Sequence, residues 1–181
     1  MSHATKSFDF TDPDAAYREL ARDLSALLAG ERDFIANAAN TAALLYDALP
    51  GLNWAGFYLY KGGELVLGPF QGKPACVRIA LGKGVCGTAA ERRRTVVVED
   101  VHAFPGHIAC DSASNSEIVV PLIRGDELLG VLDLDSPHHS RFGASDQKGL
   151  ETIAKIFIQA CDVPLSTTEN AVEATASGED E

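Results

Sequence analysis

The sequence predicts an α+β domain in which helices pack on an antiparallel sheet. Two amphipathic helical patterns open the chain, about six short β-like runs follow, most of them joined as hairpins, and one helix closes it. The 181 residues are enough for one domain with a sizeable core. We place this domain at residues 1–165 and predict that residues 166–181, with five acids and no Lys, Arg or aromatic residue, form a disordered tail.

The first and last predicted helices each begin at a polar residue that can cap them. Asp12 precedes Pro13, which is typical of a helix start. A second helix is expected over Asp33–Leu49, and the last helix from the N-cap Ser145 to about Cys161. The apolar residues expected on one face of the second helix are Ile35, Ala38, Ala42, Leu45 and Leu49.

Two pairs of strands are predicted to form hairpins. Asn53–Tyr60 and Glu64–Phe70 flank a Lys-Gly-Gly turn, and Glu117–Ile123 and Glu127–Asp135 flank an Arg-Gly-Asp turn. The loop at Val101–Ser116 is long, and loops of this length without regular structure are usually functional or disordered. The remaining predicted strands are Cys76–Leu81 and Thr95–Glu99.

Charge and hydropathy exclude several classes of protein. The net charge of -11 argues against nucleic-acid binding, which needs a basic surface. No apolar run approaches the length that spans a bilayer, and the N-terminal residues lack the apolar stretch of a signal peptide. We therefore expect a cytoplasmic protein without membrane contact. In that reducing compartment, a free thiol is either a packing group or a reactive group.

The four cysteines have different sequence surroundings. Cys161 lies on the apolar face of the last helix, where a thiol acts as a small buried hydrophobe. Cys86 lies at the start of a short helix, so it is either a thiolate favoured by the helix N-terminus or a small residue packed near glycines. Cys76 follows a Pro-containing loop and is expected to be partly exposed. Cys110 lies in a polar loop, where a packing role has little basis, and is the strongest candidate for chemistry.

Two other kinds of site are weakly indicated. A zinc site has only His107 and Cys110 at suitable spacing, without any C-x-x-C pair, so no metal is expected. The run Gly82–Gly87 matches G-x-G-x-x-G, the pattern of a dinucleotide site. However, the helix after it is short and ends in three arginines, and the chain opens with helices rather than a βαβ unit. We interpret these glycines as a tight strand-to-helix turn.

A pair of acids near the end of the last strand predicts a polar pocket. Period-2 alternation places Asp133 and Asp135 on one face with Leu129 and Val131, and places Leu132 and Leu134 on the opposite, core face. Carboxylates at i and i+2 are about 7 Å apart, close enough to contact one small ligand. Glu117 opens the neighbouring strand and joins them if the two strands pair. Clustered acids raise one another's pKa, so one of them could donate a proton near neutral pH.

Aromatic residues on the first strand are candidates for an apolar wall. Trp54, Gly56 and Tyr58 share one face of that strand. Their rings either pack in the core, as most aromatic residues do, or line a pocket beside the acids. The composition of the strand does not decide between the two.

Several short motifs, in this order, resemble one family. They are Asn53-Trp54-Ala55-Gly56-Phe57-Tyr58, Gly68-Pro69-Phe70-Gln71-Gly72, Gly82-Lys83-Gly84-Val85-Cys86-Gly87-Thr88-Ala89, Ala109-Cys110-Asp111, Ser114-Asn115-Ser116-Glu117-Ile118-Val119-Val120-Pro121 and Leu132-Asp133-Leu134-Asp135-Ser136. Together they resemble the GAF-domain free methionine-(R)-sulfoxide reductases, from about Ala15 to Val163.

The resemblance implies a six-stranded antiparallel sheet with helices packed on it, often in a homodimer. It implies reduction of free methionine-R-sulfoxide with electrons from thioredoxin and with no metal or organic cofactor. Cys110 matches the catalytic thiol, Cys76 the resolving thiol, and Cys86 a third cysteine that we assign to recycling. The residues that match substrate contacts are Trp54, Tyr58, Glu117, Asp133 and Asp135.

The alternative from another functional class is a non-catalytic GAF sensor that binds a small molecule. It explains the fold equally well. However, a sensor has no need for three thiols close to three acids, and the sequence shows no attached output domain. We therefore expect an enzyme.

Overall fold

The structure, a computed structural model, describes residues 7–106 and 112–162. The predicted acidic tail and Cys110 lie outside the described residues. The helices are α1 (Pro13–Leu27), α2 (Phe34–Ala48), α3 (Gly84–Arg92) and α4 (Ala144–Ala160), with a 3-10 turn at Val101–Ala103. The strands are β1 (Trp54–Lys61), β2 (Glu64–Gly72), β3 (Arg78–Ala80), β4 (Val96–Val98), β5 (Ser116–Arg124) and β6 (Glu127–Ser136).

The helix starts follow capping chemistry. The side chain of Asp12 accepts a hydrogen bond from the backbone N–H three residues later, as predicted, and Asp33 caps α2 in the same way. The predicted N-cap Ser145 is wrong, because α4 begins after Gly143. There the Asp146 carboxylate accepts the Gly143 N–H at 2.8 Å, so an acid inside the first turn supplies the cap in place of a serine.

The sheet has six strands in the order β3-β2-β1-β6-β5-β4, and all of its neighbouring strands are antiparallel. Both predicted hairpins are present, as β1–β2 and β5–β6. The pairing of β1 with β6 joins them into one sheet. The fold is therefore the predicted α+β class.

Apolar side chains are buried on both faces of this sheet. On one face α1, α2 and α4 cover a cluster that includes Leu20, Leu45 and Phe157. On the other face α3 lies over a second cluster, which includes Trp54 and Tyr58. We call these the three-helix face and the α3 face.

Two predicted side-chain placements are wrong. Ile35 is 50% exposed, while Asn37 and Thr41 are fully buried in α2, so a pattern of apolar residues alone misplaces the inner face of this helix. Leu129 belongs to the three-helix face rather than to the face of Asp133. The pairing of β5 with β6 skips Leu129 next to Gly130, and this irregularity reverses the alternation.

No helix in the described part of the chain is both long and apolar enough to cross a membrane.

Candidate active site

Strand register brings the predicted acids and aromatic residues together on the α3 face. In the β1–β6 ladder Trp54 is opposite Asp135 and Gly56 is opposite Asp133. In the β5–β6 ladder Glu117 is also opposite Asp135. The acids of two hairpins therefore converge beside the aromatic residues of the first strand, as the hairpin prediction required.

These residues line one cavity between the sheet and the start of α3. Trp54 and Tyr58 form an aromatic wall, with ring centroids 5.9 Å apart and planes 23° from parallel. The indole and the phenol are both almost fully buried. The two rings are packed in the core of the α3 face and also line the cavity, so both interpretations of these aromatic residues hold. The predicted residues that line the cavity are Trp54, Tyr58, Cys86, Glu117, Asp133 and Asp135.

The acids of this cavity are buried close to one another. Glu117 is 6% exposed and Asp133 is 5% exposed. Burial, followed by repulsion from Asp133 and Asp135, raises the pKa of Glu117 well above its usual range. Burial raises the pKa of Asp133 to about 7. The expected direction of both shifts is confirmed, so this cluster retains a proton near neutral pH.

One carboxylate oxygen of the cluster is unpartnered. Asp133 Oδ1 is buried and makes no hydrogen bond within the described part of the chain. Buried polar atoms in proteins are almost always hydrogen-bonded, to protein or to a bound molecule. An open acceptor position on the cavity wall is therefore a place where a ligand can donate a hydrogen bond.

Of the two alternatives for Cys86, the structure agrees with the packed small residue and not with the thiolate. It lies in the first turn of α3, as predicted, but its side chain is 4% exposed. Its thiol donates to Glu117 Oε1 at 3.8 Å. Burial and the nearby Asp133 and Glu117 carboxyls raise the pKa of Cys86 well above its usual range. The thiol is therefore protonated, because desolvation and the acids outweigh the helix N-terminus.

The other described cysteines lie in contrasting places. Cys76 is half-buried, as expected, and takes part in a disulfide. It lies in a segment that follows β2, and Pro74 and Ala75 of this segment line the cavity. Cys161 is a free thiol, fully buried on the three-helix face, which confirms its packing role. Residue 110 is not described.

Cys86, Glu117 and Asp133 also have the residue types of a metal site. Within the described ranges, 7–106 and 112–162, they form the group of potential ligands whose atoms all lie within 4.8 Å of one another. Metal binding requires such ligands to be deprotonated. Burial raises the pKa of all three groups, which opposes that loss of protons and suits the cluster to hold and donate a proton.

Some cavity residues were not predicted from the sequence. Gly84 and Val85 line the cavity with the first turn of α3, whose N-cap Lys83 makes no side-chain capping bond. This turn offers backbone N–H groups and the positive end of a helix dipole. Phe70 stacks on Trp54 at 5.2 Å. Its sequence signal was its position in Gly68-Pro69-Phe70-Gln71-Gly72.

The class of protein follows from the fold and from comparison with known families. The GAF domain family model matches residues 12–160. The chain belongs to this family, and the predicted GAF fold is confirmed.

Its relatives define the branch within that class. The chain is 58% identical over 84% of its length, and 90% of the relative, to free methionine-R-sulfoxide reductase of Escherichia coli. It is 46% identical to the Saccharomyces cerevisiae enzyme of that name, over 73% of this chain and 78% of the relative. The fold also matches the crystal structure of free methionine-R-sulfoxide reductase from Neisseria meningitidis in complex with its substrate. The TM-score is 0.83 at 48% identity, over 88% of this chain and 95% of that one. The prediction that the chain belongs to this reductase family is confirmed. The chain is therefore an oxidoreductase, as predicted.

Proposed function

We propose that this protein reduces free L-methionine-(R)-sulfoxide to L-methionine with electrons from thioredoxin, and that it uses no metal or organic cofactor. The observation that carries the proposal is the cavity itself. It combines buried, protonated acids, an aromatic wall and a neighbouring disulfide cysteine, on a fold shared with reductases of this name. A cytoplasmic location would supply thioredoxin and keep the other thiols reduced.

The cavity has chemistry suited to a free amino acid. Trp54 and Tyr58 offer apolar ring surface to the methyl and side-chain carbons. Asp133 Oδ1 is an open acceptor for the α-ammonium group or for a protonated oxygen. The first turn of α3 is suited to the α-carboxylate, since helix N-termini attract anions. A peptide-bound residue has neither terminal charge, which would explain a preference for the free form.

The first chemical step transfers the sulfoxide oxygen to a cysteine. We assign the nucleophile to Cys110, whose thiolate attacks the sulfoxide sulfur. A protonated acid among Glu117, Asp133 and Asp135 gives a proton to the sulfoxide oxygen, which makes this oxygen able to leave sulfur. In sum, the thiol and the sulfoxide become a sulfenic acid and methionine, so sulfur of the substrate gains the two electrons that the cysteine loses.

The second and third steps restore the thiols. The Cys76 thiol condenses with the sulfenic acid, which forms a disulfide and releases water. Cys76 is disulfide-bonded, whereas Cys86 and Cys161 are free, so Cys110 is the partner that we propose. The thioredoxin dithiol then reduces this disulfide by exchange. Cys86, beside Glu117 but protonated, is assigned to recycling rather than to attack.

A coupled assay tests the proposal. NADPH oxidation would be followed with thioredoxin and thioredoxin reductase, using the free R form, its S epimer and a peptide-bound sulfoxide in parallel. Turnover of the free R form alone is expected. Cys110→Ser should bind substrate without turnover, and Cys76→Ser should release about one methionine per enzyme and then stop. Folded, reduced protein that is silent with all three would overturn the proposal and favour a ligand-binding GAF sensor.

A further inference from the structure

Trp54 lies in the middle of a stack of three rings. Its indole is 5.2 Å from the Phe70 ring, at 13° between planes, and 5.9 Å from the Tyr58 ring on the cavity side. Phe70 comes from β2 and the other two rings from β1. The orientation of the indole is thus fixed by rings from two strands.

The indole N–H contacts the segment that carries Cys76. Trp54 Nε1 donates to the Lys73 carbonyl oxygen at 3.2 Å. At the other end of this segment, the Leu67 N–H donates to the Val77 carbonyl oxygen at 2.9 Å. Residues 73–77, which we call the Cys76 segment, are therefore held at both ends. Val77 itself is 64% exposed, so packing against the core does not fix the segment there.

Two glycines make room for this contact. A Cβ at Gly56 would lie 2.3 Å from Phe70 Cβ, so only glycine lets the Phe70 ring reach the indole. Gly72 has a φ of +128°, and a Cβ there would lie 2.7 Å from Trp54 Cδ1. The chain can therefore pass over the indole edge and place the Lys73 carbonyl next to Nε1. Gly56 permits the contact between Phe70 and Trp54, and Gly72 permits the contact between Trp54 and the Lys73 carbonyl.

We infer that Trp54 and Phe70 are positioning residues for Cys76, in addition to the place of Trp54 on the cavity wall. The inference rests on the proposed function, in which Cys76 is the resolving thiol. The wall that contacts the substrate and the segment that closes the disulfide are joined through one indole. Holding the segment raises the effective concentration of the Cys76 thiol at the partner sulfur, which favours disulfide formation.

The experiment measures the disulfide directly. Trp54→Phe keeps a ring in the stack but removes the N–H donor, and Phe70→Leu keeps the donor but removes the ring behind it. Each protein is equilibrated in glutathione buffers, where oxidised glutathione converts the dithiol to the disulfide and two reduced glutathiones, and the Cys76 disulfide is quantified by mass spectrometry. Both variants should shift this equilibrium toward the dithiol by about fivefold, the size of one lost hydrogen bond or ring contact.

A matched control separates positioning from stability. Tyr60→Leu changes an aromatic residue of the same strand outside the stack, and it should keep the wild-type equilibrium even if its melting temperature falls. After substrate is added without reductant, dimedone should trap more sulfenic acid in Phe70→Leu, whose ring does not line the cavity, than in this control. Wild-type equilibria in both folded stack variants would overturn the inference, and Phe70→Leu decides if Trp54→Phe does not fold.

The glutathione equilibrium does not use methionine sulfoxide. A shift in both variants from a wild-type protein that fails the coupled assay would support the positioning role and reject the proposed function. Normal turnover by the wild-type protein, together with wild-type disulfide equilibria in both variants, would support the proposed function and reject the positioning role.

Discussion

Buried carboxyl groups lie on both faces of the sheet, but their neighbours differ. On the three-helix face Asp146 is 8% exposed and fully partnered. Its Oδ1 accepts from the Tyr17 hydroxyl at 2.9 Å and from Arg141 Nη1 at 3.0 Å, and its Oδ2 accepts from the Gly143 N–H. A cation and two further donors therefore compensate for its burial.

On the α3 face Glu117 and Asp133 are equally buried but face each other and the Cys86 thiol. Their hydrogen bonds come from within the cluster, and Asp133 Oδ1 has no partner among the described residues. The difference teaches that burial alone does not identify a functional acid. Asp146 is satisfied and joins α1 to α4, whereas Glu117 and Asp133 hold a proton and an open acceptor position for a ligand.

Removal of the acid on the α3 face should give the largest effect on activity. Glu117→Gln is nearly isosteric but cannot donate a carboxylic proton, so we expect kcat/KM to fall by about 10²- to 10⁴-fold. Stability should be kept or raised, because the change removes a buried ionisable group. Steady-state kinetics and urea unfolding measure the two quantities. A stable variant with wild-type kcat/KM would remove Glu117 from the set of acids.

Removal of the buried acid on the three-helix face should lower stability and leave activity almost unchanged. Asp146→Ala leaves the Tyr17 hydroxyl and the Arg141 guanidinium without their carboxylate, at a cost of about 2 to 4 kcal/mol in unfolding free energy. Activity of the folded fraction should stay within about twofold of wild type, since the residue is on the far face. Chemical denaturation, with activity measured well below the melting temperature, is the check. Loss of activity without loss of stability would contradict the comparison.

The pH dependence of stability separates the clusters further. The pKa of Asp133 rises from 3.8 to about 7 on folding, so between these values the folded protein holds a proton that the unfolded chain has lost. Stability should therefore fall as pH rises through this window, by about 1 kcal/mol per pH unit for one such group, and level off above it. Asp133→Asn should flatten the slope in urea unfolding from pH 5 to 8, and an unchanged slope would count against the shift.

The smallest expected effects compare the two free thiols. Cys161→Ser replaces a fully buried thiol, whose sulfur accepts a hydrogen bond from Asn37 Nδ2 at 3.6 Å, with a smaller and more polar hydroxyl. It should cost about 1 to 2 kcal/mol of stability with unchanged turnover. Cys86→Ser should slow thioredoxin-coupled turnover while single-turnover methionine release continues. Comparing the two variants in both assays is the measurement. Equal thioredoxin-coupled rates would reject recycling by Cys86.

Much of this site could be predicted from local patterns. Alternation placed Asp133 and Asp135 on one face, and the hairpin turn brought Glu117 beside them, because strand period and turn position are local properties. The same local reasoning was wrong for Leu129 and for the cap at Ser145. The irregular strand pairing at Leu129 and the capping of α4 by Asp146 cannot be recognised from the local sequence pattern.

The state of Cys86 could not be predicted for a different reason. Its position in the first turn of α3 is local, and that position alone favours a thiolate. The acids that keep it protonated come from β5 and β6, about 30 residues or more along the chain. The electrostatics of a site depend on which groups meet in three dimensions.

The sequence by itself determined the α+β class, the helix starts at Asp12 and Asp33, both hairpins and the identities of the acids, aromatic residues and thiols, because these follow from local periodicity, turn chemistry and composition. Only the tertiary structure decided which acids are satisfied and which are not. Desolvation and repulsion act over a few ångströms in space, and the pairing of β1 with β6, which joins Trp54 to Asp135 across the sheet, sets those distances.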